Sequence, residues 1–169
     1  MIKFEKVSFE QFLEDFPKEL NYTEEEIKMA YDQIKMPKRA TKGSAGYDFF
    51  APFPLDFVFN ETLYVPTGIR CIIEEEKNIV LMLFPRSGLG SKKRMALNNT
   101  VGVVDSDYYC AKNGGHILGK FHYSEPDGTE AFGLAQGVAF MQGIFLEFFK
   151  TIDDDVQEER TGGFGSTTK

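Results

Sequence analysis

Cysteine and histidine are scarce in this chain: it has two of each, Cys71 and Cys110, His116 and His122. Two cysteines cannot make a disulfide framework, and two histidines besides do not suggest a zinc site. The expected state is two buried free thiols. Positive charge is in the minority, with 19 Lys and Arg against 26 Asp and Glu and a net charge of −7. That balance argues against a broad basic face for nucleic acid or an anionic membrane, so a polyanion would have to meet a local cationic patch. No apolar run approaches the roughly 18 residues of a membrane helix, and the N-terminus lacks the basic-then-apolar layout of a secretion signal. The expectation is a cytoplasmic protein that binds neither membrane nor nucleic acid directly.

Apolar residues are plentiful. They make up 42% of 169 residues, and Phe alone occurs 17 times, which implies one ordered domain with an aromatic-rich core. Ser8 with Gln11, and Thr23 with Glu26, each read as a capping box. Phe9, Phe12, Leu13 and Phe16 follow the first at helical spacing up to Pro17, and Ile27, Ala30, Tyr31 and Ile34 follow the second up to Pro37. Residues 7–36 are therefore expected to be a helix pair packed on the main domain or on a neighbour. From Gly43 the pattern changes to short apolar and β-branched runs broken by Gly, Pro and Asn, which is strand patterning. The runs are Phe57–Phe59, Leu63–Val65, Gly68–Ile73, Ile79–Phe84, Val101–Val104 and Val138–Phe149. The fold class is mainly β, a barrel or jelly roll carrying an N-terminal helix pair. Three regions result: a helical extension over 1–36, a β domain over 37–152, and an acidic tether with a C-terminal lid over 153–169.

The lid is the chemically dense part. Arg160-Thr161-Gly162-Gly163-Phe164-Gly165-Ser166-Thr167-Thr168-Lys169 packs glycines, hydroxyls, a cation and one aromatic into a tail too short to fold alone. Glycine amides can approach phosphate closely, Ser166 and Thr167 donate hydroxyls, Arg160 supplies charge and Phe164 can stack on a base, a set suited to a nucleoside triphosphate. Ser44-Ala45-Gly46-Tyr47-Asp48 puts a carboxylate after a small-residue turn, and Pro85-Arg86-Ser87-Gly88-Leu89-Gly90 puts a cation and a hydroxyl on a glycine-containing loop after a buried strand. Asn98 to Tyr108 holds a polar stretch, a strand and the carboxylates Asp105 and Asp107, and Leu134-Ala135-Gln136-Gly137 completes the set.

In that order the segments resemble the homotrimeric dUTPase family, the deoxyuridine triphosphate nucleotidohydrolases. The matching motifs are Ala45-Gly46-Tyr47-Asp48, Pro85-Arg86-Ser87-Gly88-Leu89, Gly102-Val103-Val104-Asp105-Ser106-Asp107-Tyr108, Ala135-Gln136 and Gly162-Gly163-Phe164-Gly165-Ser166-Thr167. The likeness runs over about 37–169, and the helix pair lies outside it. It implies hydrolysis of dUTP to dUMP and pyrophosphate, with Asp105 as general base for a water attacking the α-phosphorus in line. Arg86, Ser87 and Gly88 would hold the phosphate chain, Gln136 would place phosphate or water, and Arg160, Gly165, Ser166 and Thr167 would close over the triphosphate. Mg²⁺ would ride on the triphosphate, with Asp48 reaching it through water. Main-chain groups from Asn99 to Tyr108, Gly102 among them, would read the uracil edge. Tyr108 would lie against the deoxyribose and leave no room for a 2′-hydroxyl, while Phe164 covers the base. A homotrimer would build each site from three chains.

The chain departs from the family's usual pattern in three places. Only Thr161 separates Arg160 from Gly162 where two residues are usual, Tyr109-Cys110 stands in place of Arg-Gly, and Ala131-Phe132-Gly133 in place of Gly-Glu/Asp-Arg. The last two bear on subunit contacts. Two other readings stay open: a dCTP deaminase of the same fold, and a nucleotide-gated regulatory protein that signals to a protein partner through the helix pair.

Overall fold

A computed structural model of the chain describes residues 1–74, 78–124, 131–158, 160 and 162. Both expected helices form, α1 over Phe9–Asp15 and α2 over Glu24–Asp32. At α2 the capping box closes in both directions: Thr23 Oγ1 accepts from the Glu26 amide at 3.3 Å, and Glu26 Oε2 accepts from the Thr23 amide at 2.8 Å. At α1 it closes halfway. Ser8 Oγ accepts from the Gln11 amide, but the Gln11 side chain turns along the helix to donate to Asp15 Oδ2 at 2.8 Å.

Twelve strands were found among the described residues: β1 (Ile2–Lys6), β2 (Lys38–Arg39), β3 (Tyr47–Phe50), β4 (Leu55–Val58), β5 (Thr62–Pro66), β6 (Ile69–Ile73), β7 (Ile79–Pro85), β8 (Met95–Leu97), β9 (Gly102–Val104), β10 (Leu118–Tyr123), β11 (Ala131–Leu134) and β12 (Ala139–Glu147). All ladders between them are antiparallel. The largest sheet runs β2-β3-β12-β7-β9, and smaller sheets run β5-β10-β8, β11-β4 and β1-β6. Alternation sets the facing: Leu55 and Phe57 point inward from β4, while Asp56 and Val58 point out. The body is mainly β with a helix pair, as the pattern implied.

The helix pair is part of the same core rather than a separate unit. Phe12, Phe16, Ile27, Ala30 and Ile34 are buried in one cluster with Phe53, Ile69 and Phe140. The Phe16 and Phe53 rings lie 4.8 Å apart. Gly68, at φ +71°, makes the close approach possible, because a Cβ there would meet Ile34 Cδ1 at 2.3 Å. Residues 1–36 also supply a strand: β1 pairs with β6 along its whole length, from Ile2 opposite Ile73 to Lys6 opposite Ile69.

Two expectations are corrected. Cys110 is exposed, not buried, because it closes a surface 3-10 turn over Ser106–Cys110; Cys71 is buried, and burial pushes its thiol up to about 12. The segment after Pro85 is a short helix, α3 (Ser87–Lys93), with Arg86 at its N-cap, rather than an open loop. Apart from Leu89, residues 87–93 are small or basic, and the turn closes on Arg86, whose carbonyl accepts from the Gly90 amide at 2.9 Å.

Candidate active site

Strand β9 ends at Val104, and Asp105 caps the 3-10 turn that follows. Arg160 folds back onto this turn. Its Nη2 donates to Asp105 Oδ2, its Nε donates to Asp107 Oδ1 at 2.9 Å, and its guanidinium carbon lies 5.6 Å from the Tyr108 ring centroid. Burial raises the Asp105 pKa, the Arg160 charge opposes that shift, and the neighbouring Asp107 adds to it. Tyr108 is buried, and its hydroxyl donates to the His116 carbonyl at 2.9 Å. Burial also raises its phenol above the usual range.

A second group forms at the end of β7. Arg86 Nε lies 3.3 Å from Asp48 Oδ1, and Asp48 on β3 pairs in register with Gln142 on β12, which pairs with Phe84 on β7. The amides of Ser87 and Gly88 lie in the first turn of α3, where helix geometry leaves N–H groups without intrahelical acceptors. The two groups are far apart. Val104 pairs with Leu81, and the same register puts Asp105 level with Val80, six positions before Arg86, so at about 3.3 Å per residue Asp105 and Arg86 are separated by roughly 20 Å along the sheet.

A cleft of about 610 Å³ contains Asn99 and Gly102 together with Tyr64, Lys112, Asn113 and Lys120 in its lining. Asn99 lies in the tight turn closed by the Thr100 amide on the Leu97 carbonyl at 2.9 Å. Gly102 permits close pairing of β9 on β7, since a Cβ there would stand 3.0 Å from Leu83 Cβ. Gln136 goes elsewhere: its Nε2 donates to the Pro52 carbonyl at 2.8 Å and to the Ala30 carbonyl at 3.2 Å, tying the end of α2 to the β body. Its amide nitrogen is thus engaged structurally within this chain. Phe164, Gly165, Ser166 and Thr167 lie outside the described residues.

Asp107, read from the sequence only as a neighbour of Asp105, shares Arg160 with it. Two residues escaped the sequence reading: Asn113, which donates to the Tyr108 hydroxyl at 3.1 Å, and Gln142, which sits beside Asp48. Neither lies in a pattern of its own; each becomes visible only through register or a turn. No cluster of three or more His, Cys, Asp or Glu able to hold a metal ion occurs among the described residues, and Asp48 is a single carboxylate already facing Arg86. Such a donor set fits a hard cation carried in by phosphate oxygens, not one caged by protein.

Comparison with known proteins bears on the family and the fold. The dUTPase family model matches residues 32–112. A deoxyuridine 5′-triphosphate nucleotidohydrolase from Lactococcus lactis is 39% identical over 137 residues, covering 79% of this chain and 88% of that protein. One from Hahella chejuensis is 36% identical over 143 residues, covering 80% and 88%. Among solved structures, the dUTPase from Streptococcus mutans superposes with a TM-score of 0.63 at 29% identity, covering 88% of this chain and 97% of that one. A dUTPase from phage phi11 of S. aureus, in which a structural Mg(II) ion is coordinated, shares the fold at TM-score 0.61 and 17% identity, covering 94% and 97%. Motif order, fold and sequence likeness over four-fifths of its length agree: this chain belongs to the dUTPase family.

Proposed function

We propose that the chain is a dUTP diphosphatase that forms dUMP and pyrophosphate by in-line attack of water on the α-phosphorus. The observation that carries this reading is the Asp105 carboxylate, half-buried at the end of β9 and held by a cation from the C-terminal segment. A carboxylate in that setting can take a proton from an attacking water, a contribution of roughly 100- to 10,000-fold in rate. Arg86, with Ser87 and Gly88, holds the phosphate chain as pyrophosphate leaves. Mg²⁺ carried on the triphosphate would supply charge neutralisation, and Asp48 would meet it through water. Asn99 and Gly102, in the cleft lining, offer main-chain groups to the uracil edge, and Tyr108 excludes a 2′-hydroxyl. Phe164, Gly165, Ser166 and Thr167 close over base and triphosphate.

The assembly we propose is a homotrimer. Roughly 20 Å between Asp105 and Arg86 along the sheet is too far for one α-phosphate to be served by both within a single chain, given near-attack distances of about 3–3.5 Å. Copies of the chain that bring the Asp105 turn of one beside the Arg86 helix of another resolve the mismatch. Phe149 (91% exposed), Ile152 and Val156 leave apolar side chains in solvent after β12, as expected of an arm that packs on a neighbour.

Incubation with dUTP, dCTP, dTTP and UTP in the presence of Mg²⁺ tests the reading. Pyrophosphate and dUMP from dUTP are expected, with the other nucleotides hydrolysed far more slowly. Release of ammonia and dUTP from dCTP would instead identify a deaminase.

A further inference from the structure

The buried imidazole of His116 joins two parts of the molecule that the family likeness keeps apart. The residue is 0% exposed. Its Nε2 accepts from the Gly68 amide at 2.7 Å, so the ring hydrogen on Nδ1 is left to donate to Asp15 Oδ2, also at 2.7 Å. That Asp15 oxygen also accepts from Gln11 Nε2, which orients the carboxylate from within α1. On the other side the His116 carbonyl accepts from the Tyr108 hydroxyl at 2.9 Å and from Asn113 Nδ2 at 3.1 Å. The Tyr108 amide donates to the Asp105 carbonyl at 3.1 Å, in the turn that carries the proposed base.

A continuous hydrogen-bonded line therefore runs from α1 to the Tyr108 turn. The loop between Tyr108 and His116 is shaped for it. Gly114 and Gly115 adopt φ values of +64° and +75°, and a Cβ on Gly115 would meet Tyr109 Cα at 2.5 Å, so the chain folds back tightly enough to put the His116 carbonyl against the Tyr108 hydroxyl. Burial and the negative charge of Asp15 both raise the phenols of Tyr64, in the cleft wall, and Tyr108, which keeps the Tyr108 hydroxyl a donor.

We propose that Asp15 and His116 are positioning residues for the site, through which the N-terminal helix pair holds Tyr108 in place and so sets discrimination between deoxyribose and ribose. The inference rests on the reading of the chain as a dUTP hydrolase. Steric rejection of one hydroxyl requires a ring that cannot yield by even half an ångström or so, and a ring tied only by its own turn would yield more than one braced from α1. The buried dyad supplies that brace.

The variants separate the brace from the fold. His116→Gln can keep an acceptor for the Gly68 amide but replaces the rigid ring donor to Asp15 with an amide N–H on a flexible stem, Asp15→Ala removes the acceptor, and Asp15→Asn keeps an oxygen that accepts from Nδ1. Two measurements are made on the full-length protein: the ratio of kcat/KM for dUTP over UTP, and deuterium uptake of the 105–111 backbone without ligand. Asp15→Ala and His116→Gln are expected to lower the ratio about fivefold or more, and Asp15→Asn to restore most of it. A mere loss of folded protein would scale both substrates alike and leave the ratio unmoved. Uptake over 105–111 should quicken in Asp15→Ala while that of β7 and β12 stays put. An unchanged ratio in Asp15→Ala, or uptake that rises uniformly, would overturn the positioning role alone. A parent chain that hydrolyses neither nucleotide would overturn the functional reading and the selectivity claim with it, and the uptake comparison would still decide whether α1 braces the Tyr108 turn.

Discussion

Arg160 and Asp105, 55 positions apart, share an ion pair in which the arginine also engages Asp107 and covers the Tyr108 ring. The pair ties the C-terminal segment to the proposed base. It also biases the proton equilibrium of Asp105, because a cation beside a carboxylate favours its charged form.

The sign of the pH dependence follows. Burial raises the Asp105 pKa and Arg160 lowers it, so activity that needs the ionised base is lost as pH falls through the folded-state value. Arg160→Met removes the opposing cation and should move the acid limb of the kcat/KM profile to higher pH. Asp107→Asn removes a like charge and should move it lower. A limb that stays in place in both variants would mean that another group titrates.

Asp105→Asn keeps the shape of the side chain but cannot take the proton of water. Turnover of dUTP should fall by about 100- to 10,000-fold. Calorimetric affinity for a non-hydrolysable dUTP analogue should change far less, and near-normal turnover would remove Asp105 from the base role.

The buried cluster of the described residues is left whole by deletion of 162–169, so the thermal midpoint of the protein without added nucleotide should barely change. Hydrolysis should collapse, chiefly in the chemical step measured by single turnover. Phe164→Ala, a milder change, should weaken dUTP binding by about 1–3 kcal/mol, the usual worth of one base–aromatic stack.

If the helix pair is integral to the core, Phe12→Ala should behave as a core truncation. Phe12 is fully buried, and the cost by urea denaturation should be about 3–5 kcal/mol. Leu20→Ala, on the rim of the same region at 36% exposure, should stay within about 0.5 kcal/mol. Equal, small effects would show that the pair is merely appended.

Much of this architecture was legible in local pattern. The Thr23–Glu26 capping box and the stripe of Ile27, Ala30 and Ile34 specify α2 within a few residues, and the runs through Ile69–Ile73 and Ile79–Pro85 specify β6 and β7, because cap bonds and side-chain periodicity are short-range properties. Strand β1 was missed by a reading that gave 1–36 as helical: Ile2 and Phe4 alternate with Lys3 and Glu5, but two alternations are too short a run to stand out beside two capped helices. The ordered motifs named the chemistry and the family. Tertiary structure decided the rest. Asp15 meets His116 across 101 positions, Gln136 reaches Ala30 across 106, and Arg160 reaches Asp105 across 55. Antiparallel register puts Arg86 and Asp105 at opposite ends of two neighbouring strands instead of in one place. Such pairings depend on which loops close and which faces bury together, a property of the whole packed chain that no window of residues contains.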